Sequence, residues 1–433
     1  MKIHCIGIGG IGVSALAQYY LAAGHKVSGS DLMSSEITDF LKKKGVKIII
    51  GHRSENIKKD TSLVIYSPAV TGDNPELLEA KIYKIKTMSY PEALGELTKI
   101  HFTIAIAGAH GKSTTTAMVG LILLKAGLDP TVVVGTKLKE FGKSNFRMGK
   151  SKYLVIEACE YDGSFLNYDP KIIVITNIDK EHLDYFKTFG NVKREFLNFI
   201  LKLKKGGFLV LNDDDKYLNN LVSNSIELDT KLFKFQSYSL KQSASENLRK
   251  ILKIPGSHNV SNALAALAVA RILKIPDKIS LSALSEYKGS WRRFEILKTK
   301  PYTVISDYGH HPNEISATLK AARERYSSKK IWLIFQPHQR QRTHYLFNDF
   351  VKTFRQASIN EIIITDIYDV AGREEKNISS GINSEKLVNK INKNNVKYMS
   401  VVDSEKYVKK NIKREGVLII MGAGDIYKLA DSF

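Results

Sequence analysis

Between positions 104 and 116 the apolar run Ile104-Ala105-Ile106-Ala107 breaks into Gly108-Ala109-His110-Gly111-Lys112-Ser113-Thr114, and a second apolar run follows over residues 117–124. A strand that ends in glycines and reopens as a helix is a corner built to hold phosphate. The glycines let backbone N–H groups approach phosphate oxygens closely, and the helix N-terminus adds positive partial charge. Lys112 is predicted to reach the β- and γ-phosphates, and the Ser113 hydroxyl to ligate Mg²⁺. The general pattern G-x-x-x-x-G-K-[ST] places glycine at position 106, where this chain has Ile106, so the loop is a variant. An ordinary strand–turn–helix corner would leave the joint placing of strand, glycines, Lys-Ser and helix unexplained. A nucleotide site is expected; the loop by itself names no reaction.

A second glycine device opens the chain. Gly7-Ile8-Gly9-Gly10-Ile11-Gly12 follows the strand Lys2–Ile6 and introduces a helix over residues 14–23; a second strand, 26–29, ends at Ser30-Asp31. This is G-x-G-x-x-G with an acid about 20 residues on, which specifies a diphosphate at a helix N-terminus and a polar group near a ribose. NAD satisfies that description, and so does a UDP-sugar. Strand-like runs at 46–50, 62–67 and 85–87 continue the alternation, which implies a parallel sheet with helices on its faces. The apolar residues up to Ala23 could pass for a secretory leader, but the glycines at 7, 9, 10 and 12 fit the diphosphate loop instead.

At 433 residues the chain is too long for one core, and about two to four domains are expected. Cys5 and Cys159 offer neither a disulfide framework nor a cysteine-based metal site. The formal charge of +21 raises a nucleic-acid reading. The basic residues, however, are scattered in short groups such as Lys42-Lys43-Lys44, without an aromatic signature, zinc-finger spacing or basic tail. No apolar run approaches the roughly 20 residues of a membrane span. The expectation is a cytoplasmic enzyme, a monomer or weak homodimer, with neither nucleic acid nor membrane as partner.

Acid clusters fall just past two further strands. Tyr153–Glu157 runs into Glu157-Ala158-Cys159-Glu160-Tyr161-Asp162, and 172–176 runs into Asn177-Ile178-Asp179-Lys180-Glu181-His182-Leu183-Asp184. Ligands of open α/β sheets bind beyond the carboxyl ends of strands. Glu157 is therefore expected to face the crevice of Ser113 and to hold Mg²⁺, while Asp162 and Asp184 read equally well as helix-capping carboxylates. His182 taken alone reads as a loop histidine, since Mg²⁺ prefers hard oxygen ligands. Asn259 and Asn262 sit at the start of an alanine-rich helix, where they could cap it or bind a base. Asp307-Tyr308-Gly309-His310-His311-Pro312 and Gln336-Pro337-His338-Gln339-Arg340-Gln341-Arg342-Thr343 each follow an apolar strand. Together they suggest one more ligand crevice.

Taken in order, the motifs resemble the Mur ligases, ATP-dependent amide ligases that build the peptide of bacterial cell-wall precursors. The resemblance rests on Gly-Ile-Gly-Gly-Ile-Gly at 7–12, Ala-Gly-Ala-His-Gly-Lys-Ser at 107–113, Glu-Ala-Cys-Glu-Tyr-Asp at 157–162 and Asn-Ile-Asp-Lys-Glu-His-Leu-Asp at 177–184. It continues through His-Asn-Val-Ser-Asn-Ala at 258–263, Arg-Arg-Phe-Glu at 292–295, Asp-Tyr-Gly-His-His-Pro at 307–312, Phe-Gln-Pro-His at 335–338 and Gly-Ala-Gly-Asp-Ile at 422–426. The resemblance implies an α/β fold of three domains. These are a Rossmann-like N-terminal domain for the UDP-sugar (1–98), a central P-loop ATPase domain (99–294) and a C-terminal Rossmann-like amino-acid-binding domain (295–433).

By that resemblance the sugar nucleotide meets Gly7, Gly9, Gly10, Ile11, Gly12, Asp31 and Ser67. ATP meets Gly108, Ala109, His110, Gly111, Lys112, Ser113 and Thr114, with Asn259 and Asn262 at the adenine and Asp307 near the ribose. Ser113 and Glu157 hold one Mg²⁺ and His182 a second, a position in which Mn²⁺ is expected to substitute. Tyr308, His310, His338 and Arg342 orient the amino acid and the reacting carboxylate; Lys112, His182, His310 and Arg342 carry the chemistry. The implied substrates are UDP-N-acetylmuramate and L-alanine, joined through an acyl phosphate, with the family members that reattach a recycled tripeptide as the alternative. The chain departs from the family at Ala109, where threonine is usual, and at Gln339-Arg340-Gln341, where the family has Arg-Tyr-Thr. Glu195 falls near the position of a carbamylated lysine in other members. A nicotinamide-dependent dehydrogenase would explain only residues 1–31, and a nucleic-acid binder only the charge.

Overall fold

The computed structural model of the protein describes residues 1–225, 233–370 and 381–433. Three sheets succeed one another along the chain. The first contains β1 (Lys2–Ile6), β2 (Lys26–Asp31), β3 (Lys47–Ile50), β4 (Leu63–Tyr66) and β5 (Lys86–Ser89), all parallel, in the order β3-β2-β1-β4-β5. Its central strand is apolar on both faces: Ile3, Cys5 and Ile6 are almost fully buried, as a parallel strand covered by helices on either side requires. The helices are α1 (Ile11–Ala22), α2 (Glu36–Lys43), α3 (Pro75–Ile82) and α4 (Tyr90–Ile100). The first of them starts earlier than the apolar pattern suggests, because Gly10 serves as its N-cap in an extended conformation.

The second sheet takes β6 (Phe102–Ala107), β7 (Thr131–Leu138), β8 (Ser144–Arg147), β9 (Tyr153–Glu157), β10 (Ile172–Ile175), β11 (Phe208–Asn212) and β12 (Lys234–Tyr238), ordered β12-β11-β10-β6-β9-β7-β8. All its pairings are parallel except β7 with β8, an antiparallel edge that the βα alternation did not announce. Helix α5 (Lys112–Lys125) leaves β6 through the glycine corner. It includes the Lys-Ser pair in its own first turn because Gly111, at φ 84°, is the N-cap. The β7–β8 hairpin docks on α1 through a buried polar seam. Gln18 donates from Nε2 to Asn145 Oδ1 (2.8 Å) and accepts from Ser144 Oγ (2.9 Å), while Asn145 Nδ2 donates to Ser14 Oγ (3.0 Å). Fully partnered buried amides fix a register that apolar contacts alone leave free to slide.

The third sheet is β13 (Glu295–Lys298), β14 (Thr303–Asp307), β15 (Ile331–Phe335), β16 (Glu361–Ile364), β17 (Val396–Tyr398) and β18 (Val417–Met421), in the order β13-β14-β18-β15-β16-β17. Only β13 is antiparallel to its neighbour. Two apolar clusters cover its faces, one around Leu333, Phe335, Phe350 and Ile419, the other around Val304, Ile334, Leu418 and Ile420. By internal contacts the described chain falls into two compact units. One is residues 1–178 with 193–239 and 263–284; the other is 179–192 with 240–262 and 285–433. No helix among the described residues is long and apolar enough to cross a membrane.

Candidate active site

In the first unit the phosphate loop is held by the end of the neighbouring strand. Ala109 N–H donates to the Asn177 carbonyl (3.1 Å), His110 N–H to Asn177 Oδ1 (2.8 Å), and the His110 carbonyl accepts from Thr176 Oγ1 (2.6 Å) and Asn177 Nδ2 (2.9 Å). Gly108 has φ 135°, and a Cβ there would lie 2.0 Å from Thr176 Oγ1, so both backbone conformation and space demand glycine. The loop's shape is thus set by β10, nearly 70 residues downstream, rather than by its own sequence.

Lys112 lies at the head of this loop. Its Nζ donates to Glu160 Oε2 (2.9 Å) and Oε1 (3.0 Å) and to the carbonyls of Ala109 (3.1 Å) and Gly108. Burial alone would pull the lysine's pKa down, but the adjacent Glu160 carboxylate outweighs it and holds the ammonium above its ordinary range. Lys112 is therefore charged at any physiological pH. Sequence reasoning counted Glu160 among three nearby carboxylates without assigning it; its partnership with Lys112 spans 48 residues and has no local signature. Ser113 is buried in the first turn of α5. Glu157 ends β9, whose register sets it beside Ile106 of β6, and one of its oxygens accepts the Gly135 N–H at 2.7 Å. Glu195 faces the turn at Tyr161–Asn167, close enough that a Cβ on Gly163 would meet its Oε1 at 2.9 Å.

The N-terminal glycine loop has a different economy of hydrogen bonds. Gly7 and Ile8 N–H both donate to the Ser30 carbonyl (2.9 and 3.0 Å), Gly9 N–H to Asp31 Oδ2 (2.8 Å) and Gly10 N–H to the Gly7 carbonyl (3.0 Å). Three of those donors are taken up by the end of β2 and the fourth by the loop itself, which leaves the first-turn N–H groups of Ile11, Gly12 and Val13 to face an anion. Gly12 is small for another reason, since a Cβ there would enter the Tyr90 ring at 2.7 Å. Ser67 abuts Gly7, with 2.9 Å between its Cβ and a Cβ built on that glycine.

The second unit gathers the later motifs. Asn259 and Asn262 are both buried on the first turns of the helix Ser257–Ile272, and Asn259 Nδ2 donates to the Pro255 carbonyl at 2.7 Å. Asp307, at the end of β14, accepts from Gly309 N–H on one oxygen and Phe294 N–H on the other, each at 2.8 Å, so any further donor shares these atoms. Burial raises its pKa, opposed by the charge of Arg293. That arginine lies 3.6 Å from Glu314 and over the Tyr308 ring, contacts that its place in the Arg-Arg-Phe-Glu motif does not signal. Arg292 is buried against Trp291, Tyr308 and Tyr427, with Nη2 donating to the carbonyls of Gly424 (3.0 Å) and Gly422.

Around Glu181 the unit gathers a buried charge cluster. Glu181 is buried; Arg342 Nη2 lies 3.4 Å from its Oε2 and His310 Nε2 3.8 Å from its Oε1. Burial opposes its ionisation, yet the positive field led by Arg342 holds its pKa well below the carboxylate range. Arg342 Nη1 donates to His338 Nδ1 (3.0 Å) and to its carbonyl (3.2 Å), and the His338 ring stacks on Tyr368 at 5.7 Å. His310 Nδ1 faces the Tyr308 carbonyl at 3.1 Å, which assigns the ring proton to Nδ1, and burial pushes its pKa to about 4. His182 has φ 54° and caps the one-turn helix Leu183–Phe186; a non-glycine residue in that region stores backbone strain of the kind concentrated at working sites. It lines a small depression with Asp184, Lys180, Arg342 and Tyr345. The residues that depart from the expected pattern also separate. Arg340 turns out to Asp369 at 2.9 Å, while Gln339 is buried at φ 69°.

Known proteins resemble this chain along its whole length. Residues 2–101 match the model described as Mur ligase family, catalytic domain; 106–270 match the Mur ligase middle domain; and 292–424 match the Mur ligase, glutamate ligase domain. A UDP-N-acetylmuramate–L-alanine ligase of Acetivibrio thermocellus is 41% identical over all of this chain and 95% of its own length. One of Clostridium acetobutylicum is 42% identical over all of this chain and 97% of its own. The crystal structure of the UDP-N-acetylmuramate–alanine ligase of Thermotoga maritima superposes with a TM-score of 0.78 at 28% identity, covering 100% of this chain and 98% of that one. Three successive domain models and full-length relatives at this identity leave one assignment: the chain belongs to the Mur ligase family.

Proposed function

We infer that the protein is an ATP-dependent ligase that joins L-alanine to the lactyl carboxylate of UDP-N-acetylmuramate in peptidoglycan precursor synthesis. The observation that carries this reading is the full-length identity to relatives named for that reaction. The proposed division is a UDP-sugar domain to residue 98, an ATP-binding domain to residue 294 and an amino-acid-binding domain beyond.

The lactyl carboxylate is anionic and a poor electrophile. Its attack on the γ-phosphate of ATP releases ADP and forms an acyl phosphate, in which phosphate is a good leaving group. Lys112, held charged and aimed by four oxygens, offsets the repulsion between the two anions. The alanine amine then attacks the acyl carbon, and the tetrahedral intermediate collapses to the amide and phosphate. His310 is neutral at pH 7 with its proton on Nδ1; a group of pKa about 4 is too weak a base to keep the amine's proton, so it orients the amine. Arg342 supplies the planar donor fork for the alanine carboxylate.

The metal reading rests on the donors. The Ser113 hydroxyl, in the first turn of the helix that follows β6, and the Glu157 carboxylate, at the end of the adjacent β9, are hard oxygens, as Mg²⁺ prefers, while the His182 imidazole suits a second ion less strictly. When bound, Mg²⁺ neutralises phosphate charge and draws the transferring oxygens into line. Glu157→Gln should raise the Mg²⁺ concentration for half-maximal activity by about tenfold or more, and by more than His182→Ala does. A Mg²⁺ titration unmoved by Glu157→Gln returns that acid to its Gly135 contact alone.

The substrate is tested by ADP release with UDP-N-acetylmuramate and each amino acid in turn, with the cell-wall tripeptide alongside. Release with L-alanine above all others supports the reading; efficient use of the tripeptide with no response to L-alanine overturns it.

A further inference from the structure

Beneath the N-terminal glycine loop lies a buried ionisable cluster that the reaction as derived does not use. Glu76, in the first turn of α3, is completely buried. Its Oε2 accepts from Ser30 Oγ at 2.6 Å and lies 2.9 Å from His52 Nδ1; its Oε1 accepts from Asn56 Nδ2 and lies 3.6 Å from His4 Nε2. Those partners come from β1, from the end of β2 and from the 51–56 turn, three segments that converge on the loop. The carboxylate also sits at a helix N-terminus, whose dipole favours a negative charge. Burial works against its ionisation, but the donors of His4, Ser30 and Asn56 hold its pKa below the ordinary range.

A carboxylate is a poor way to fill a core, since an apolar side chain of similar size does so without desolvating a charge. What it does well is hold several donors at fixed positions. Here the critical one is Ser30, because the Ser30 carbonyl is the acceptor for both Gly7 and Ile8 N–H, and the next residue, Asp31, takes Gly9 N–H. Fixing the Ser30 side chain therefore fixes the strand end on which the glycine loop hangs, and with it the first turn of α1.

We propose that Glu76 is a positioning residue for the sugar nucleotide: through Ser30 it holds the glycine loop in the shape that presents the helix N-terminus to the diphosphate. This rests on reading residues 7–12 as the UDP-sugar site. Neutralising Glu76 as Gln keeps its size but removes the charge and replaces an acceptor by a donor, so either Asn56 loses its acceptor or the Ser30 hydroxyl must turn from donor to acceptor.

The test is steady-state kinetics on the full-length protein, varying each substrate separately, for Glu76→Gln, Ser30→Ala, their double variant and Asp31→Asn. The KM for UDP-N-acetylmuramate should rise about tenfold in Glu76→Gln, the scale of one lost hydrogen bond to a charged group. The KM values for ATP and L-alanine, and kcat at saturation, should stay within about twofold. Ser30→Ala should show the same split, and the double variant should add little to Glu76→Gln, because both remove one link. An unchanged sugar-nucleotide KM in Glu76→Gln, with a raised one in Asp31→Asn, overturns the positioning role while the loop remains the site. An unchanged KM in both overturns the loop reading and the inference together. Equal losses in all three KM values overturn it in favour of a general effect on folding. Should Glu76→Gln fail to fold, Ser30→Ala decides: a selective rise supports the role, an unchanged KM overturns it.

Discussion

Lys112→Ala is expected to lose ADP formation by about a thousandfold or more, the upper range for removing one charged stabiliser from a developing transition state. The expectation comes from placement. The ammonium heads a glycine corner at the N-terminus of α5, and four oxygens of the protein fix its position. Glu160 gives the experiment a second dimension. That carboxylate is 1% exposed, and in Lys112→Ala it loses the charge beside it. Removing one partner of a buried pair typically costs about 3 kcal/mol or more, so the single variant should also melt at a lower temperature.

The two losses separate in a double variant. Lys112→Ala with Glu160→Gln no longer buries a carboxylate without its lysine, so most of the lost stability should return while ADP formation stays absent. Thermal unfolding and coupled ADP release, measured on the same preparations, read the two effects independently. If the double variant recovered turnover as well as stability, Lys112 would be a structural residue and the assignment of the phosphate loop would fail. Near-normal turnover in the single variant would sink it sooner.

What could be read in the sequence and what could not divide along a physical line. The glycine loops were legible because a strand must turn into a helix within a few residues, and Gly108 and Gly111 take the positive φ that this needs, although the end of β10 fixes the final shape. The apolar strands β1, β6, β10, β15 and β18 were legible as runs buried on both faces. The antiparallel edges β8 and β13 were not, since β8 buries the polar pair Ser144 and Asn145 instead of an apolar run, and β13 is a short strand only partly buried. Buried acids were the main omission. Glu160, Glu181 and Glu76 look like ordinary solvated carboxylates in their own segments. Their roles come from cations and donors far along the chain, as when Arg342 meets Glu181 across 161 positions. Glycine roles were also shared differently than the motif suggests. Gly12 makes room for Tyr90, and three of the loop's first four donors tie it to the end of β2. The helix over residues 112–116 was likewise hidden behind its own motif, because a run of threonines reads poorly as helix until Gly111 is seen to cap it.

Arg342→Lys should raise the KM for L-alanine by about ten- to a hundredfold, the equivalent of about 1.5–3 kcal/mol for a lost charge-assisted contact, with the KM for ATP nearly unchanged. The geometry explains why lysine cannot substitute. Arg342 uses Nη1 on His338 and Nη2 toward Glu181 at once, and its planar fork keeps further N–H groups for a carboxylate. A lysine ammonium is a single point that can approach Glu181 or His338 but cannot span both and still offer a second parallel pair of donors. Glu181 sharpens the prediction. Because the cluster holds it ionised, the proposed amino-acid site would carry a negative charge beside the arginine, suited to a zwitterion whose ammonium and carboxylate must both be met. Glu181→Gln should then weaken L-alanine in the same direction as Arg342→Lys, and the double variant should fall short of the sum of the two, since the pair acts as one unit. If Arg342→Lys leaves the KM for L-alanine unchanged and raises that for ATP instead, the arginine serves the nucleotide, and the amino-acid site must be sought among the other residues of the cluster.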